Sequence, residues 1–142
     1  MPVHTDDIAR DRRLDDVLPS LVSSILHTLP KLHGIWLFGS FARGQATDDS
    51  DIDIAVLGPR AFDPVTIFDL GLKLGVLARR DVDLVDLRRA SLVLKKEILT
   101  SGKLLIANQA EACEQFAADA MALYVAFRDE LALASVVERS TP

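Results

Sequence analysis

The stretch IWLFGSFARGQATDDSDIDIAVLGP, residues Ile35 to Pro59, decides how the chain is read. It opens with the continuous apolar run Ile35-Trp36-Leu37-Phe38, which suits a strand buried on both faces, and that run stops at Gly39. A loop of small and polar residues, Gly44 to Ser50, follows. Asp51 to Leu57 reads as a second strand, stopped by Gly58-Pro59. In Asp51-Ile52-Asp53-Ile54 the period of two sends both carboxylates to one face and both isoleucines to the other. The isoleucine face belongs to a core. The aspartate face must then meet water, a cation or a ligand.

Asp48, Asp49, Asp51 and Asp53 place four carboxylates in six residues. They repel one another unless something positive sits among them. An Asp-x-Asp on its own is usually a solvated edge, but here it follows Gly39-Ser40 at the end of a buried strand. A glycine there lets backbone approach a phosphate closely. Ser40 is expected to open a short helix, Phe41-Ala42-Arg43, with its N–H groups and hydroxyl facing an anion. A phosphate cradle beside paired carboxylates supplies both halves of a magnesium–triphosphate site.

Downstream, Val82 to Leu87 reads as a third strand that supplies a third carboxylate. Parity selects Asp83, which faces away from Val82 and Leu84. Asp86 shares the face of those two and is the weaker alternative, and Asp81 falls in the preceding turn. Arg43 is a further phosphate ligand or a solvated helix residue.

Working outward, a helix is expected over about Asp15 to Thr28, with Pro19 in its first turn and Pro30 ending it. Asp63 caps a helix that opens with Pro64 and runs to about Ala78. Ser91 caps another to about Thr100, closed by Ser101-Gly102. Lys103 to Ile106 suits a short edge strand. Ala110 to Val136 reads as one long helix with an apolar stripe through Phe116, Ala120, Leu123, Tyr124, Phe127 and Leu131. The pattern predicts an α/β (α+β) fold: a mixed sheet of about four strands, helices packed on one face, and a long C-terminal helix. Trp36 and Tyr124 read as packing residues, and Arg88-Arg89 and Lys95-Lys96 as wetted surface pairs.

The 142 residues, 49 % hydrophobic and 26 % charged, suit one domain, 1–142, with loose ends over 1–12 and 137–142. The charged start has no apolar leader segment, no run is long enough to span a bilayer, and Cys113 is the only cysteine, so a cytoplasmic protein is expected. The net charge of −5 disfavours a nucleic-acid partner. The three histidines lack metal-ligand spacing.

GSFARGQATDDSDIDIAV, Gly39 to Val56, resembles the signature of the DNA polymerase β-like nucleotidyltransferase superfamily: Gly-Ser, ten residues, then Asp-x-Asp. RRDVDLVDLRRAS, Arg79 to Ser91, resembles that superfamily's third-carboxylate strand and again points to Asp83. VDLVDLRRASLVLKKEILTSGKLLI, residues 82–106, with the helix that follows, resembles the minimal nucleotidyltransferase antitoxins (the MntA type) of HEPN/MNT toxin–antitoxin pairs. That resemblance spans about Leu18 to Glu130. It implies a polymerase β-like fold and two Mg2+ ions held by Asp51, Asp53 and Asp83. It implies ATP as substrate, with the β and γ phosphates on Gly39 and Ser40, and leaves Arg43 either adding charge to the leaving group or simply solvated. It also implies a cognate HEPN-domain toxin as partner, silenced by transfer of AMP to a tyrosine hydroxyl. A small-molecule nucleotidyltransferase and a non-catalytic antitoxin acting by contact are the competing readings. The first normally needs a second domain that 142 residues do not provide.

Overall fold

The computed structural model describes the backbone of residues 5–140 and the side chains of 14–130, 132 and 133. The elements run α1 (Thr5–Thr28), β1 (Gly34–Phe38), α2 (Gly39–Ala42), β2 (Ile52–Leu57), α3 (Pro64–Ala78), β3 (Val82–Asp86), α4 (Leu92–Ser101), β4 (Lys103–Ala107) and α5 (Ala110–Ser140). The strands form one mixed sheet in the order β3-β2-β1-β4. β1 pairs antiparallel with both β2 and β4, and β2 runs parallel to β3. The parallel pair needs a crossover connection, which α3 supplies.

Local chemistry sets most boundaries where expected. The Asp63 carboxylate accepts from the Val65 N–H at 2.8 Å and caps α3, with Pro64 in the first turn. Ser91 Oγ accepts from the Leu94 N–H at 3.1 Å and caps α4, and Gly102 ends it.

Two expectations need correcting. First, α1 starts at Thr5 rather than Asp15, so Pro19 lies inside the helix and not in its first turn. Apolar spacing gave no signal for the charged residues 5–13. Pro19 removes one i→i−4 bond that the helix tolerates. Of the expected loose ends, residues 1–4 and 141–142 lie outside the described residues.

Second, helices cover both faces of the sheet. Ile35, Leu37, Ile52, Ile54, Val56 and Leu84 pack with α1 and α3. The alternate residues Trp36, Phe38, Ala55 and Leu57 pack with Leu87, Ile98 of α4 and Cys113 of α5. Strands with an apolar side chain at every position are paired with cover above and below. Trp36 is core, as expected. Among the described residues no helix is long and apolar enough to cross a membrane.

Candidate active site

The double cover fixes where the acidic cluster lies. β2 turns Ile52, Ile54 and Val56 toward α1 and α3, so Asp53 shares its face with Ala55 and Leu57, toward α4. The interior parts of this face are apolar, and Asp53 sits at its half-buried margin. Asp53 is the register partner of Phe38 on β1 and of Asp83 on β3. Adjacent partners in a parallel pair point the same way, so Asp53 and Asp83 share a face. Asp83 is exposed, and Asp51 is exposed immediately before β2 begins.

Gly39 closes the other side. It opens α2 with φ of 71°, and a Cβ added there would run into Asp53 Oδ2. Glycine is therefore required at this position on two grounds, backbone conformation and contact with the carboxylate. α2 spans Gly39 to Ala42, with Phe38 at its N-cap and no side-chain cap bond. Ser40 is thus its second residue rather than the residue that opens it.

The loop carrying Asp51 is tied down from the turn that follows α3. Arg80 Nη1 donates to Thr47 O at 3.3 Å and to Ser50 O at 3.0 Å, while its guanidinium sits 5.1 Å from the centre of the Phe41 ring. The Thr47 N–H donates to Ser50 Oγ at 2.8 Å. The Ile52 N–H donates to Asp81 O at 2.9 Å, which gives Asp81 a backbone role.

The Asp53 carboxyl is pushed up to about 6 from an ordinary 3.8. Burial contributes most, followed by the charges of Asp83 and Asp51, with Glu97 adding to them and Arg43 opposing. Arg43 is itself committed: Nη1 donates to Glu97 Oε1 at 3.0 Å and Nε to Gln45 Oε1 at 3.3 Å. Glu97 was not foreseen in the sequence. It stands on α4, 54 positions from Arg43, and no local spacing links the two.

Asp86, the weaker alternative, has a different job. It is 5 % exposed, and its carboxylate accepts from the Phe62 N–H at 2.7 Å and the Arg88 N–H at 3.0 Å. It pins the segment before α3 to the end of β3. The basic pairs are also more engaged than wetted surface would be. Arg88 Nε donates to Gly58 O at 2.8 Å and, with Lys95, flanks the Phe116 ring. Lys96 lies 5.5 Å from the centre of the half-buried Tyr124 ring.

The donor set at Asp51, Asp53 and Asp83 is all carboxylate oxygen, the chemistry of a hard divalent cation. A carboxyl pushed up to about 6 by burial and by neighbouring like charges gains most from such an ion. Among the described residues no group of three or more acidic, imidazole or thiol side chains lies close enough to hold a metal ion as the side chains stand. Mg2+ at Asp51, Asp53 and Asp83 would therefore need these carboxylates to draw together around it, with waters and phosphate oxygens completing its shell.

Residues 21–111 match the family described as polymerase beta, nucleotidyltransferase. The chain is 40 % identical over 104 residues to the protein adenylyltransferase MntA of Shewanella oneidensis, covering 73 % of this chain and 74 % of that one. A crystal structure of a toxin–antitoxin with AMP-PNP superposes with a TM-score of 0.76 at 38 % identity, over 83 % of this chain and 95 % of that one. A structure of the tri-AMPylated Shewanella oneidensis HEPN toxin in complex with MNT antitoxin gives 0.71 at 36 % identity, over 84 % of this chain and 94 % of that one.

Proposed function

The chain belongs to the polymerase β nucleotidyltransferase family, and from that premise we propose that it is an antitoxin that transfers AMP from ATP to a tyrosine hydroxyl of a cognate HEPN-type toxin. The observation that carries this reading is the pairing of Gly39 with the Asp53 carboxylate beside Asp83. The relatives add its direction: one is a protein adenylyltransferase, one is a toxin–antitoxin with AMP-PNP, and one contains an AMPylated HEPN toxin. The reaction is set in the cytoplasm.

Asp51, Asp53 and Asp83 are the residues that would hold Mg2+. When bound, the ion supplies charge neutralisation for the triphosphate and acidifies the acceptor hydroxyl. The chain's own groups do the rest. The first N–H groups of a helix have no partner within it, so the turn at Gly39-Ser40 offers backbone donors to the β and γ phosphates. Gly39, lacking a side chain, lets that turn lie against Asp53. Arg43, held by Glu97 and Gln45, puts a cation at the rim of the cluster, where the leaving pyrophosphate gathers charge. Asp51 and Asp83 are exposed, so an acceptor protein can reach them. In the transfer the acceptor oxygen bonds to the α-phosphorus, the bond from that phosphorus to the bridging oxygen breaks, and pyrophosphate leaves. The hydroxyl proton passes to solvent.

The test is to incubate the chain with the HEPN-type protein encoded beside it, ATP and magnesium, and to weigh that protein. The expected result is a gain of whole AMP units, absent with the Asp51→Asn/Asp53→Asn double variant. Full neutralisation without any mass gain would replace this reading with inhibition by contact.

A further inference from the structure

α3 carries polar side chains only at Thr66, Asp69 and Lys73. Its inner face, Ile67, Leu70, Gly71 and Leu74, is buried against β3 and α1. Its outer face is apolar as well. Val65 and Phe68 are each 66 % exposed, Leu72 58 % and Val76 79 %. At 100° per residue these four fall within roughly 80° of one another, opposite the buried face. A helix that is apolar all round is normally a buried helix, and an exposed stripe of this kind marks a docking surface. The stripe lies on the sheet face opposite to the one Asp53 shares with α4, so it is not part of the acidic site.

The charges on α3 say what covers it. Asp69 and Lys73 are the only two, both exposed, one turn apart on the same flank of the stripe. When two copies of a helix pack antiparallel about a two-fold axis, the same flanks face each other. With the axis at the level of residue 71, Asp69 of one copy meets Lys73 of the other, twice. Phe68 then falls between Leu72 and Val76 of the opposite copy. A self-complementary pattern is what an isologous contact demands, and a foreign partner would not require it. We propose that the outer face of α3 is the interface for a second copy of this chain, packed antiparallel, which leaves both acidic sites facing outward.

Sedimentation equilibrium on the full chain without any partner tests this. The expected result is a species of twice the chain mass, dissociating at least tenfold more readily in Phe68→Glu. Because Phe68 is exposed, this variant keeps the wild-type circular dichroism. Asp69→Lys alone and Lys73→Asp alone weaken the dimer, and the two together restore it, a rescue that a merely damaged fold would not give. A wild-type chain that stays monomeric at millimolar concentration overturns the proposal. So does a dimer indifferent to Phe68→Glu, or a stripe whose variants lose the acceptor protein while the free chain is a monomer. None of these readouts depends on catalysis, so they stand or fall apart from the transferase reading.

Discussion

The two ends of the β2–β3 ladder each carry a carboxylate, and they are built in opposite ways. At the carboxy end Asp86 is buried and answered by the Phe62 and Arg88 N–H groups, with Arg89 Nε 4.0 Å away. At the amino end Asp53 meets Asp83 and Asp51, and the nearby cation, Arg43, is already shared with Glu97. One end spends its charge on holding the fold together. The other keeps an unbalanced negative charge at the surface, which is destabilising by itself and useful to a cation-bearing substrate. Asp86 is also the more deeply buried of the two, and it is its partners that answer its charge.

The largest effects should separate these ends completely. Asp53→Asn is expected to slow AMP transfer by about 10³-fold or more, since the metal–carboxylate contribution to the transition state is several kcal/mol. It should leave the thermal midpoint unchanged or raised. Asp86→Ala should do the reverse. Stranding buried N–H donors costs about 1–3 kcal/mol each, read by urea unfolding, while transfer per folded molecule stays within about threefold of wild type. An Asp86 variant that folds normally but fails to transfer AMP would break the contrast.

Gly39→Ala comes next. Forcing alanine to positive φ costs roughly 1–2 kcal/mol, and its Cβ must also displace the Asp53 carboxylate. Both stability and activity should fall, with the loss in kcat exceeding any change in the unfolding midpoint.

The pH dependence sharpens the contrast further. A folded pKa of about 6 against 3.8 means that Asp53 binds its proton more tightly in the folded state. Its contribution to stability is then present below about pH 4 and lost as pH rises through about 6. In chelator-treated protein the thermal midpoint of Asp53→Asn should exceed that of wild type by more at pH 7 than at pH 4.5. An equal difference at both pH values would contradict a carboxyl raised by burial and by its acidic neighbours. The smallest effect belongs to Glu97→Gln. Both partners of its ion pair are exposed, so stability should change by about 0.5 kcal/mol or less, while the KM for ATP shifts severalfold as Arg43 is released.

How much of this was legible in the sequence follows from how local each signal is. The caps at Asp63 and Ser91, the stop at Gly39 and the parity of Asp53 and Asp83 lie within a few residues of what they determine, and all are found where expected. The cover on the second face was also present, in the unbroken run Ile35 to Phe38. A strand with no polar face cannot be served by helices on one side, so the one-sided layer was inconsistent with that run. Arg43–Glu97 and the Arg80 clamp on the Asp51 loop are different. They join residues 54 and about 30 positions apart, and only the folded sheet brings them together. The early start of α1 was missed because apolar spacing says nothing about a charged helix.

The most direct test of the central claim is a crystal structure of the chain with a non-hydrolysable ATP analogue and manganese, read by the metal's anomalous signal. The account predicts metal peaks bonded to the carboxylates of Asp51, Asp53 and Asp83, with the β and γ phosphates over the Gly39-Ser40 turn. Peaks elsewhere, or a nucleotide bound away from these three side chains, would contradict it.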